Sequence, residues 1–186
     1  MAQLITRTQN IVDHWLVYAE KNQGDTTACA DQSPLPQNHL PFTAPQQATI
    51  YPLALWQAER HAILAAGHPI GILLETDERV EDIADDLAHF ALIALNFPKF
   101  VDGRHYSSAA LLRQRYRYTG EVRALGNILH DQLFYLSRVG FDSYALSDGK
   151  DAAYALDKAF TVFSAPYQGS SDCAQPHFCR SAAPQS

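Results

Sequence analysis

No run of about 18 consecutive apolar residues occurs in the chain, so no segment reads as a membrane-spanning helix. The opening MAQLITRTQNIVDHW lacks the apolar stretch of a secretory leader, and a cytoplasmic location is the expectation that follows. Basic residues are outnumbered: 14 Lys and Arg face 20 Asp and Glu, for a formal net charge of -6. That balance excludes a general nucleic-acid binder, which needs a basic surface to displace counterions. Cysteine is scarce and odd in number, with Cys29, Cys173 and Cys179, which argues against a disulfide framework. No C-x-x-C pair, no phosphate-binding G-x-x-x-x-G-K loop and no G-x-G-x-x-G fingerprint after a strand-like run is present. The segment CAQPHFC does not match a standard zinc spacing, and no metal site is expected.

What is present is a chain of 186 residues, 47% hydrophobic, enough to bury a core. It divides into residues 1–49, an extended arm or hairpin followed by a long Gln-, Pro- and Thr-rich loop; residues 50–166, a regular region; and residues 167–186, an irregular tail. In the regular region YPLALWQAERHAILAAG has helical spacing, with Pro52 at its start and Gly67 at its stop. IGILLE, ALIALNF, EVRAL and FDSYALS are short apolar runs of strand length. Each is followed by a helical pattern: TDERVEDIADDLAHF, the stretch from Ser107 toward Gly120, GNILHDQLFYLSRVG, and DAAYALDKAFTVFS. Four successive strand–helix units predict an α/β domain with a parallel sheet, either open and doubly wound or half of a (β/α)8 barrel.

In such folds the loops leaving the carboxyl ends of the strands share one rim, and ligands bind there. The rim therefore receives Glu75 to Asp77, then Asn96 and FVDGRHYS, then Gly126 to Gln132, then Ser147 and Asp148. In FPKFVDGRHYSSAALLRQRY, Asp102 and Gly103 make a turn that can aim Arg104 at the rim, and Ser107 suits a helix cap. Free N–H groups at a helix start, a serine hydroxyl and a guanidinium together can cradle a small anion. An Asp102–Arg104 ion pair of purely structural purpose explains the same residues. His105 is the histidine best placed for general acid–base work, and Asp131 joins it as a candidate at the next helix start, where the helix dipole alone also favours a carboxylate.

Arg123 stands within a strand expected to be covered on both faces, on the same side as Glu121. A buried guanidinium must be paired or solvated, so either Glu121, Asp102 or Asp131 neutralises it or it points into a ligand cavity. Arg113, Arg115 and Arg117 follow along the rim helix; Arg115 and Arg117 read as solvated, whereas Arg113 can fold back toward an acid. Gln132 completes the polar set beside Asp131.

Taken in order, IGILLE, FPKFVDGRHYSSAALLRQR, GEVRALGNILHDQL and RVGFDSYAL resemble the bacterial domain-of-unknown-function family 934, over roughly Trp56 to Tyr167. The positions that carry the resemblance are Phe100, Asp102, Gly103, Arg104, Tyr106, Ser107, Arg113, Glu121, Arg123, Gly126, Asp131 and Gln132. Members of that family are described as oxidoreductases of sulfite reduction. The resemblance implies a role in sulfur assimilation, as an oxidoreductase or an accessory that binds an oxyanion, or as a non-catalytic partner of sulfite reductase or its electron donor. No redox group is evident in the chain itself. A borrowed flavin mononucleotide, its phosphate on a rim helix start, is the cofactor to test for. Uncovered edges of a half-barrel would also permit a homo-oligomer.

Overall fold

The computed structural model describes residues 3–18, 45–146, 151–163 and 166–180. Eight strands form one sheet: β1 (Gln3–Thr6), β2 (Asn10–Ile11), β3 (Leu16–Val17), β4 (Thr49–Pro52), β5 (Ile70–Leu74), β6 (Phe90–Phe97), β7 (Glu121–Gly126) and β8 (Ser143–Leu146), in the order 2-1-8-7-6-5-4-3. Neighbours from β3 through β8 pair in parallel. β1 runs antiparallel to β8, and β2 antiparallel to β1. The expectation of a wholly parallel sheet is thus corrected: the sheet is mixed, because the amino-terminal arm folds as a hairpin onto the β8 edge.

The connection from β2 to β3 dictates the shape. These strands occupy opposite edges of the sheet, yet only residues 12–15 lie between them. Laid flat, eight strands about 4.8 Å apart would separate the edges by roughly 34 Å. Five Cα steps of at most about 3.6 Å reach roughly 18 Å. The sheet must therefore curl until its edges approach, giving a half-barrel whose concave face is bridged by a four-residue strap. Trp15 of the strap lies over Gly71 on β5, where an added Cβ would come within 3.2 Å of its ring.

The outer face carries the helices. α1 (Leu53–Ala65) starts directly after Pro52, and Gly67 with φ +68° ends the turn beyond it. α2 (Arg104–Gln114), α3 (Leu133–Val139) and α4 (Ala152–Asp157) follow β6, β7 and β8, and α5 (His177–Arg180) is a single turn in the tail. Between β5 and β6 the chain forms a 3₁₀ segment, Val80–His89, in place of the expected helix; Val80 and Ile83 still face the core. The main core lies between helices and sheet, with Trp56, Ile72, Ile93, Leu95, Val122, Ala124 and Tyr144 at its centre. A smaller cluster, Ile50, Leu92 and Ala94 with Trp15, Leu73 and Leu125 against it, fills the concave side. Strand alternation separates the two sets residue by residue.

The sequence missed β3 and β4, and it ran the rim helix too far. α2 stops at Gln114, and Arg117 sits beyond it in a turn with φ 55°. The long Gln- and Pro-rich loop lies largely outside the described residues, as do Cys29, Ser147 and Asp148. The irregular tail is tied to the body: Arg138 on α3 donates to the Gln168 carbonyl and pairs with Asp172, its Nε 3.5 Å from Oδ1.

Candidate functional site on the carboxyl-end rim

The loop from β6 to α2 is built around one carboxylate. Asp102 Oδ1 accepts from the Arg104 backbone N–H at 3.2 Å and from Arg104 Nε at 3.0 Å, and Oδ2 accepts from Nη2 at 2.6 Å. These bonds hold the half-buried Asp102 carboxyl down at about 2, well under its usual value. Gly103, and not Ser107, occupies the cap position of α2; Ser107 is one turn inside it. The Asp102 N–H donates to the Lys99 carbonyl, and Gln132 Nε2 reaches the Phe100 carbonyl at 3.4 Å. The result is a fixed hook whose tip exposes apolar side chains, Phe100 at 46% and Val101 at 84%.

His105, one residue further on, is only 1% exposed. Its ring meets Phe97 edge-on at 5.6 Å, and Nδ1 lies 3.4 Å from Ser108 Oγ. Burial lowers its pKa, against the opposing pull of Asp102. Its placement is in the core under α2, away from the rim surface, where an imidazole exchanges protons with a bound ligand only if the core opens.

Arg104, Ser107 and Ser108 share a cleft of about 280 Å³ with Asp77, Glu78 and Glu81. Burial raises the Glu78 carboxyl's pKa, and the neighbouring Asp77, Glu75 and Asp82 add to the effect. An anion placed there would face several carboxylates for one guanidinium.

Arg123 and Arg113 lie elsewhere. Arg123 is 2% exposed on the concave face, bonded through Nε and Nη2 to Glu121 Oε1 and through Nη1 to Asp13 Oδ1 at 2.9 Å. Its Nε also reaches Ser143 Oγ at 3.3 Å, and that hydroxyl donates to Glu121. Because Glu121 and Ser143 open their strands, this network sits toward the amino ends, away from Arg104. Arg113, at the far end of α2, donates to the carbonyls of Gly140, Tyr118 and Gly120 and to Asp142. Arg104 and Arg123 therefore do not share one pocket. Glu121 is the partner that neutralises Arg123, joined by Asp13, which sequence reasoning did not find.

Asp131 does sit on the rim near α2: burial raises the Tyr106 phenol's pKa, the Asp131 charge raises it further, and Gln132 hydrogen-bonds it. Gln132 Oε1 accepts from the Leu129 N–H, closing the start of a 3₁₀ turn, His130–Gln132. Asp131 and His130 form one wall of a rim cleft of about 720 Å³, whose other wall is Tyr154 on α4 with Asp151 and Lys158 at its two ends. That second wall was also missed, although residues 151, 154 and 158 fall on one helical stripe and could have been read as such. The helix starts after β6, β7 and β8 already hold the carboxylates of Asp102, Asp131 and Asp151. They do not suit the phosphate of a flavin.

The sheet, its outer helices and this polar rim define an α/β half-barrel protein with its exposed chemistry at the carboxyl ends of the strands. The chain belongs to the family described as bacterial protein of unknown function (DUF934), whose model matches residues 71–178. The match begins inside β5, leaving out the hairpin, strap and α1, and extends through the tail past Cys173 and His177. No curated protein matches the chain. Among the described residues, no helix is long and apolar enough to cross a membrane, and no group of three or more potential ligands could hold a metal ion.

Proposed function

We propose that this protein serves assimilatory sulfite reduction as a non-catalytic partner, docking onto sulfite reductase or its electron donor through the hook between β6 and α2. The pathway rests on the family resemblance in FVDGRHYS and GEVRALGNILHDQ. The docking role rests on one observation: Phe100 and Val101 are held out to solvent by bonds that fix the loop before any partner arrives. Apolar side chains at the centre of a charged surround are the usual anatomy of a contact patch, and rigid presentation lowers the entropy cost of association. Lys99, Asp102 and Arg104 supply that surround.

The reading of the chain as an oxidoreductase, or as a carrier of a small oxyanion, is supported less well. Arg104 is saturated on two nitrogens by Asp102, and Asp77, Glu78 and Glu81 oppose an anion beside Ser107.

The test is calorimetric titration of the chain against sulfite reductase and, separately, its electron donor. Association with one of them is expected, weakened at least about tenfold in the Phe100→Ala, Val101→Asp double variant, with near-ultraviolet circular dichroism checking that the variant keeps its fold. Failure of the wild type to bind either protein, or equal binding by the variant, overturns the proposal. Turnover of sulfite by the isolated chain would restore the enzymatic reading.

A further inference from the structure

The rim cleft between α4 and the β7–α3 connection is a second site, separate from the hook. Its volume of about 720 Å³ is in the range of small-molecule pockets. Leu129, Ala159 and Val162 give it an apolar lining. Asp131 contributes an exposed carboxylate. Asp151 spends Oδ1 on capping α4, accepting from the N–H groups of Ala153 and Tyr154 at 2.9 and 3.2 Å, so Oδ2 is the oxygen left to face a ligand. Among the described residues Lys158 is the one lysine or arginine in the lining, and its Nζ is 3.1 Å from Asp157 Oδ2. Tyr154 is 53% exposed, with its ring 5.2 Å from that of His130. His130 Nε2 is buried and has no hydrogen-bond partner among the described residues.

These features select a charge type. An anion would confront Asp131 and Asp151. A neutral apolar molecule would desolvate both carboxylates without compensation, which costs free energy. An ammonium group pairs with the carboxylates and stacks on the open face of Tyr154. We propose that this cleft binds a small organic cation, an amine or quaternary ammonium carrying an apolar body that lies along Leu129, Ala159 and Val162. The proposal does not depend on the docking role of the hook.

Isothermal titration of the full chain with phenethylammonium and benzyltrimethylammonium, and with phenethyl alcohol as the uncharged match, tests it. Both cations should bind at least about tenfold more tightly than the alcohol. Asp131→Asn should weaken the cations about tenfold and leave the alcohol unchanged. Tyr154→Leu should weaken the quaternary ammonium more than the alcohol. Near-ultraviolet circular dichroism confirms that both variants, each at an exposed position, keep their fold. The proposal is overturned if the alcohol binds as well as the amines, if no cation binds at millimolar concentration, or if cation binding ignores both substitutions.

Discussion

Arg104 and Arg113 occupy opposite ends of α2 and meet opposite fates. Arg104, at the carboxyl-end rim, keeps 59% of its side chain in solvent and bonds a carboxylate two residues away. Arg113, at the amino-end side, is 17% exposed and gathers three carbonyls and Asp142 from the two turns that enter β7 and β8. The amino ends of the strands are sealed by charge, since Arg123 repeats the pattern on the concave face with Glu121 and Asp13. The carboxyl ends leave charge and apolar surface open. In this fold arginine is structural at one end and available at the other, so residue type alone does not mark the site.

The sharpest way to break that comparison is to remove Arg113. Arg113→Met should cost about 3 kcal/mol, because it strands the carbonyls and the carboxylate it now satisfies. Arg113→Lys should recover only part, since one ammonium cannot reproduce a planar fork serving several acceptors. Urea denaturation measures both; a loss under about 1 kcal/mol for the methionine variant would show that the amino end is not held this way.

A smaller effect is expected where the strap crosses the sheet. A Cβ on Gly71 would stand 2.9 Å from Ile50 Cγ1 and 3.2 Å from the Trp15 ring. Gly71→Ala should destabilise by about 1–3 kcal/mol through overpacking. It should also lift Trp15, shifting tryptophan emission to the red, while Trp56 stays buried at 1% exposure. Unchanged stability and emission would mean that the strap does not close the concave face.

Both of those sites show where the sequence stops being informative. β5 to β8 were legible because each is a short, mainly apolar run that is largely buried, and α1 because Pro52 and Gly67 punctuate it. β4 was hidden because its four residues run straight into α1, whose start at Pro52 absorbed them. The spacing of Val80, Ile83 and Leu87 fits an α-helix as well as it fits the 3₁₀ segment that forms. At the rim, the Asp102–Arg104 turn was readable because its partners are two residues apart. The Asp13 partner of Arg123 is 110 residues away, and the pairing of β1 with β8 is equally remote. Such contacts depend on how the sheet curls, which no local pattern encodes.

His105 sharpens the contrast through pH. Burial places its folded-state pKa below the unfolded value of 6.5. Between those two values the unfolded chain binds more protons, so stability rises with pH and is lost as pH falls through about 6.5 toward the folded pKa. The difference in unfolding free energy between wild type and His105→Asn should therefore shrink steadily from pH 7.5 to pH 5. A difference that stays constant would mean that the imidazole titrates alike in both states and is not held in the core.

The smallest expected effect belongs to the hook. Asp102 titrates near 2 because Arg104 holds its charged form, so the folded pKa is depressed. Any stability from the pair is present above the unfolded value of 3.8 and disappears as pH falls through about 2. Since the Arg104 side chain is 59% in solvent, Arg104→Ala should leave the unfolding midpoint nearly unchanged. What should move is the carboxyl itself: the Asp102 carbon resonance, titrating near 2 in the wild type, should return toward the ordinary aspartate range in the variant. If it stays low, the backbone N–H of residue 104 alone fixes the carboxylate. The loop would then keep its shape without the guanidinium, leaving Arg104 free to meet a partner directly.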